Sequence, residues 1–185
     1  MRGWLKTWQP VPHVGDSGGR AQVGIIRTHG FTSWVIRLFT QAKVNHMVID
    51  TGTEVVSAEY PLVRTRPYGY FTDVVWSQFH LTDAQQDKIV AFAEEQIGKN
   101  YNWSDDLAIG VGILTRQHTP RWIMRWLSSD DEWMCSALAD ACLRHAGIHL
   151  WDDDRPVGAV FPGSFQNFFA DAGWLPWRIF FSSKV

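Results

Sequence analysis

Cysteine is scarce in this chain: the 185 residues hold two, Cys135 and Cys142. Both fall in one helical stretch, and two cysteines so spaced cannot bridge each other without breaking that helix. No disulfide framework is therefore expected, and a reducing compartment is permitted. A surplus of one charge is also missing. Seventeen Lys and Arg stand against nineteen Asp and Glu, a formal net charge of −2. The basic residues are scattered rather than run together, which argues against a nucleic-acid partner. No apolar run approaches bilayer-spanning length, so no transmembrane segment is expected. Arg2 and Lys6 are followed only by Trp4, Leu5 and Trp8 before Pro10 and Pro12, which is not an export signal. Synthesis in the cytoplasm is the expectation. Action outside a cell would need another route, such as lysis or carriage on a virion. Repeats, low-complexity tracts and an interdomain linker are absent as well.

What is present reads as a globular domain. Hydrophobic residues make up 45% and charged residues 19%, which excludes a disordered chain. Eleven tryptophans point to a broad apolar surface, either core or a substrate groove. Residues 1–22 read as an irregular leader, punctuated by Pro10, Pro12, Gly15, Gly18 and Gly19. Residues 23–185 read as one domain.

Within it, Val23 to Arg27 predicts a short buried strand, and Thr32 or Ser33 caps a helix to about Gln41. Val44 to Asp50 and Glu54 to Tyr60 predict two strands joined by a turn at Thr51-Gly52-Thr53. Alternation places His46, Val48 and Asp50 on one face, and Ser57 and Glu59 on one face of the partner. Further strands are expected at Leu62 to Arg66 and Thr72 to Phe79. Thr82-Asp83-Ala84-Gln85 is a capping box opening a helix to about Ile97, with Ile89, Phe92, Ala93 and Ile97 as its buried stripe. Asn100 to Trp103 predicts a loop. Helices follow at Asp105 to Leu114 and Pro120 to Leu127, and Asp152 to Pro156 reads as a solvated loop. Ser164 to Ala172 predicts a helix, and Trp177 to Phe181 a closing strand. The pattern is α+β, an antiparallel sheet packed against a cysteine-bearing helix.

That helix opens at Cys135 and stops at Gly147, and Leu138 and Cys142 share its buried stripe with Cys135. A cysteine in the first turn feels the positive end of the helix, which favours thiolate. Asp130, Asp131 and Glu132 oppose that effect, so a cationic partner is called for, and His46 is the candidate. Two readings stand side by side: ordinary buried core cysteines, or a nucleophile with a strand-borne imidazole as its base. The other histidines are dispersed. None pairs with a cysteine at zinc-ligand spacing, and His145 and His149 are interrupted by Gly147, so neither metal nor other cofactor is expected. Trp122 and Trp126 share one helical face, where core packing is the first reading.

Five motifs in order resemble a known family: Val23-Gly24-Ile25-Ile26, Val44-Asn45-His46-Met47-Val48-Ile49, Val55-Val56-Ser57-Ala58, Gly98-Lys99-Asn100-Tyr101-Asn102-Trp103, and Met134-Cys135-Ser136-Ala137-Leu138. The chain resembles the circularly permuted papain-like hydrolases related to the NlpC-type cell-wall peptidases, in which the histidine strand precedes the cysteine helix. The resemblance implies a papain-like fold and a cysteine hydrolase that cleaves an amide bond through an acyl-enzyme. It implies Cys135 as nucleophile, His46 as general base, and Tyr101 as a residue holding the substrate carbonyl or oxyanion. Where related permuted enzymes carry a glutamate to orient the histidine, this chain has Ser57. Glu59 or Asp50 are the alternatives for that role. Cell-wall peptides are the implied substrate class, with acyl lipids, as in enzymes similar to lecithin retinol acyltransferases, the first alternative. A non-catalytic binding or virion-structural module on the same fold is the second.

Overall fold

β-Branched and apolar residues alternate in register along the first strands, and the alternation sorts them onto two faces of one sheet. The computed structural model describes residues 19–28, 43–101, 132–152 and 160–175. The helices expected at Thr32 to Gln41, Asp105 to Leu114 and Pro120 to Leu127 lie outside those residues. So do the closing strand at Trp177 to Phe181 and most of the loop from Asp152 to Pro156.

The strands are β1 (Val23–Ile26), β2 (His46–Asp50), β3 (Val55–Glu59), β4 (Leu62–Arg66), β5 (Val75–Trp76), β6 (Asn100–Tyr101) and β7 (Glu132–Trp133). The helices are α1 (Asp83–Glu95), α2 (Cys135–His145) and α3 (Pro162–Asp171). The sheet order is β5-β1-β2-β3-β4-β6-β7, antiparallel throughout except for the parallel pair β6 and β7. The domain is thus α+β, with the cysteine-bearing helix against the sheet.

One face carries Val23, Ile25, Met47, Ile49, Val56, Ala58, Val63 and Val75. Ile89, Val90 and Ala93 of α1, Leu138, Ala139, Cys142 and Leu143 of α2, and Phe165 and Phe169 of α3 pack with them in one core. Among the described residues all three helices contribute to this side, with α2 lying across β2 and β3. The opposite face carries Ile26, Val48, Val55 and Trp76, with Val74 and Phe71 from the segment between β4 and β5 packed on them. His46 and Ser57 are on this second face, by the alternation of β2 and β3.

Turn chemistry sets the hairpin between β2 and β3. Gly52 takes φ +94°, its N–H donates to Asp50 Oδ1 at 2.7 Å, and the Thr51 N–H donates to the Glu54 carbonyl at 3.0 Å. Tyr60-Pro61 connects β3 to β4 through a cis bond. Thr82 and Gln85 form the expected reciprocal cap of α1, at 3.1 and 3.3 Å. Gly147 turns at φ +77° just past α2.

Five local expectations differ. Ile97 lies beyond the end of α1 and is 43% exposed, because the turn over Gln96 to Gly98 swings it off the buried stripe. Asn100 and Tyr101 form β6 rather than loop. Their extended conformation comes from pairing with Leu62 on one side and with Glu132 and Trp133 on the other, which no local pattern encodes. Of Thr72 to Phe79 only Val75 and Trp76 are strand, and Asp73, at φ +58°, interrupts the run. α3 starts two residues early because Pro162 occupies its first turn, where a missing N–H costs nothing. Ala21 and Gln22, read as leader, are buried against the sheet, and the Ala21 N–H donates to the Asp50 carbonyl at 2.7 Å.

Gly24 is a close approach. A Cβ there would stand 2.5 Å from Val74 Cγ1 and 2.9 Å from the Trp76 ring. Gly24→Ala is expected to destabilise the fold by about 1–3 kcal/mol through overpacking. Urea unfolding checks this: the midpoint falls while the slope stays at the wild-type value.

Candidate active site

The site starts from strand register. Ile26 pairs with His46, Glu59 with Leu62, Leu62 with Asn100, and Asn100 with Glu132. Val48 pairs with Ser57, so continuing that antiparallel ladder sets Glu59 opposite His46. His46 therefore begins β2 at the end of the sheet where β3 finishes. β6 and β7 both run out of the sheet at that same end, Tyr101 pairing with Trp133, and α2 begins two residues later at Cys135. The topology thus brings Cys135 and His46, remote in sequence, to one end of the sheet. They reach it from different sides: Cys135 is 5% exposed within the helix-side core, whereas His46 points from the other face.

α2 is built to hold its first residue still. Ser136 Oγ donates to the Val160 carbonyl at 2.7 Å, and Arg144 Nε donates to Asp140 Oδ2 at 2.7 Å one turn along. Met134 at the N-cap provides no side-chain cap, and the first turn holds no acid, so the helix dipole acts on Cys135 without a local anion inside the helix. Cys142, on the same stripe, is fully buried and its thiol is pushed far up by that burial. Both cysteines are free thiols.

Ser57 Oγ lies 2.7 Å from His46 Nε2. The Glu59 carboxylate, on the same strand face as Ser57, takes Arg66 Nε at 3.1 Å and Arg66 Nη2 at 2.6 Å. Burial alone would raise the Glu59 pKa, but the hydrogen bonds from Arg66 and Ser57 and the Arg66 charge outweigh it and hold the group below the ordinary carboxylate value. An ionised carboxylate can only accept, and a hydroxyl has one proton. A Ser57 hydroxyl turned toward Glu59 accepts from His46 Nε2–H, whereas one turned toward the ring donates to Nε2 and leaves the ring proton on Nδ1. A neutral imidazole protonated at Nε2 keeps its lone pair on Nδ1, the form a general base requires.

Burial pushes His46 down to about 4, against a smaller upward pull from Glu59. This corrects the expectation of a standing cationic partner for Cys135. Burial strips hydration from the ring, so His46 is neutral at neutral pH.

Of the residues expected to form the site, His46, Ser57 and Glu59 come together directly. Ser57 is the one in hydrogen-bond contact with the ring, and Glu59, gripped by Arg66, lies farther along the same strand face. Asp50 does not join them: it lies at the far end of β2, roughly 13 Å along the strand, where it accepts from the Tyr68 hydroxyl and the Gly52 N–H. Tyr101 has its backbone beside Trp133, and its side chain lies outside the described residues. Trp122 and Trp126 lie outside them too. His145 stacks on Phe92 at 4.8 Å between ring centroids, a packing role between α2 and α1. Among the described residues no three His, Cys, Asp or Glu side chains converge as metal ligands, and no helix is long and apolar enough to cross a membrane. Arg66 was not singled out in the sequence. The available signal was its place on the same strand face as Arg64, directly across from Val55 in a hairpin carrying Glu59.

Because the folded His46 pKa lies below the unfolded value, the unfolded chain binds the proton first as pH falls. Stability is complete above about 6.5 and is lost as pH drops toward 4, by an amount on the order of 3 kcal/mol. Glu59 acts in the same sense in a lower window, its contribution disappearing as the medium reaches its own depressed pKa. Urea midpoints measured from pH 7.5 to 4 are expected to fall for the wild type and to fall less for His46→Gln. No family model matches this sequence, and no curated protein matches it either.

Proposed function

We propose that this protein is a papain-like cysteine hydrolase of the permuted, NlpC-type arrangement, cleaving an amide bond through Cys135 and His46. One observation carries the reading: the buried His46 ring is tied through Nε2 to Ser57, with the ionised Glu59 carboxylate near them, at the sheet end where α2 starts. A hydrogen-bonded acid behind a histidine has little purpose in packing and a plain one in proton transfer.

In the proposed cycle the Cys135 thiol gives its proton to His46 Nδ1 as the sulfur attacks the substrate carbonyl carbon. The resulting imidazolium is stabilised through Ser57 by the Glu59 carboxylate. It then protonates the leaving nitrogen as the C–N bond breaks, leaving a thioester. Water attacks that thioester, His46 takes its proton, and the sulfur leaves to recover the thiol as the acid is released. Tyr101 is assigned to the carbonyl oxygen by the family resemblance, and the parallel pairing of its strand with Trp133 is consistent with that task. Cell-wall peptides are the proposed substrate class.

A second reading has one observation in its favour. Cys135 is 5% exposed within an apolar cluster, as a plain core cysteine would be. A non-catalytic module would leave its reactivity low at every pH.

Cys135→Ala and His46→Ala are each expected to abolish hydrolysis with the fold retained, while Cys142→Ala retains activity. Ser57→Ala is expected to cut kcat/KM by roughly 10- to 100-fold, within the span of general acid–base contributions. Iodoacetamide labelling followed by peptide mapping should mark Cys135 with a pH midpoint below that of a free thiol, and leave Cys142 unlabelled in the folded protein. Equal turnover by wild type and Cys135→Ala would remove the hydrolase reading. The mass of the covalent adduct trapped from cell-wall fragments or lipid extracts identifies the acyl group.

A further inference from the structure

The groups sharing the His46 side of the sheet come from several elements. β1 presents Ile26, β3 presents Ser57 and Glu59, and β4 presents Arg64 and Arg66. The segment 67–74 presents Tyr70 and Phe71, whereas Cys135 belongs to the helix-side core.

Six of these side chains close a ring. His46 bonds Ser57, Glu59 lies next along the same face of β3, and Glu59 takes the bidentate grip of Arg66. The Arg66 Cζ sits 4.3 Å above the Tyr70 ring. Tyr70 meets Phe71 edge-on at 4.9 Å, and Phe71 returns to the His46 ring at 5.6 Å. The segment is pinned elsewhere as well. Tyr68 donates to Asp50, and Val74 lies over Gly24, where any Cβ would collide with it.

A guanidinium has two separate binding surfaces: N–H groups in its plane for a carboxylate, and a flat face for an aromatic ring. Arg66 uses both at once, on Glu59 and on Tyr70. An ammonium cannot do this, because its charge is a compact point with no face to stack.

We propose that Arg66 is a positioning residue for His46, aiming the Glu59 carboxylate at Ser57 with its edge and seating the 67–74 strap on the imidazole through Tyr70 with its face. The strap is a water seal. Phe71 also packs on the apolar cluster of this face, while Tyr70 is half exposed and is held down by its contact with Arg66, which keeps the strap's tip closed over the imidazole. A seated strap leaves the ring neutral with its Nε2 proton directed inward. An unseated one admits water and lets the ring protonate before the thiol can use it. The catalytic consequence rests on the hydrolase reading, whereas the seating of the strap is a property of the chain alone.

The test is an NMR titration of the His46 ring in the full-length protein, in wild type, Arg66→Lys, Tyr70→Ala and Tyr70→Phe. Wild type and Tyr70→Phe are expected to titrate together near 4. Arg66→Lys and Tyr70→Ala are expected to shift the midpoint upward by about one pH unit or more as water reaches the ring. A wild-type midpoint in Arg66→Lys would reduce Arg66 to a simple charge and overturn its positioning role. A wild-type midpoint in Tyr70→Ala would overturn the strap. Should Tyr70→Ala fail to fold, Phe71→Leu replaces it, with the same upward shift expected and an unchanged midpoint equally damaging. These outcomes do not depend on turnover: a chain with no hydrolase activity and a raised Arg66→Lys midpoint keeps this inference and loses the other.

Discussion

Pairing of β2 with β3 in one register is the constraint on which the rest depends. Val48 opposite Ser57 puts His46, Ser57 and Glu59 on the same side, with the helices on the other. Slippage by one residue would turn the imidazole into the helix-side core and point Met47 at the serine. Two devices hold the register. Gly52 and Asp50 close the turn without strain, and both faces of the pair are buried, so a slipped pairing would expose apolar side chains on each.

Electrostatics at the site follow from that geometry. The imidazole is surrounded by apolar groups, which strips away the hydration a cation needs. Among the described residues its polar tie is to Ser57, near a carboxylate that Arg66 keeps ionised. An uncharged ring and a charged group close by are compatible because the serine separates them. A carboxylate in direct contact would instead have drawn the imidazole toward its charged form at rest.

Cys135 belongs to the opposite layer, and its position is a matter of chain direction rather than side-chain pattern. β7 leaves the sheet beside β6 at the level of His46 and turns at once into α2. The helix then doubles back across β2 and β3, burying Leu138, Cys142 and Leu143 and leaving its first turn at the sheet end. Cys135 and His46 are thereby at one end of the sheet but in different layers, and Cys135 is part of the helix-side core.

Strand and helix periodicity in the sequence by itself determined the α+β class, the face shared by His46 and Asp50, the face shared by Ser57 and Glu59, and the buried stripe from Cys135 to Cys142. These are local properties, written in alternation of two, in helical spacing and in capping residues such as Thr82 and Gln85. The contact of Ser57 rather than Glu59 with the ring, the distance of Asp50 from it, the neutral state of His46 and the grip of Arg66 on Glu59 were decided only by tertiary structure. Each depends on distances between side chains on different strands and on how much water reaches them, and neither quantity has a signature within one stretch of chain. The strand at Asn100 and Tyr101 belongs with these, since two residues become extended there only because neighbours on both sides supply their hydrogen bonds.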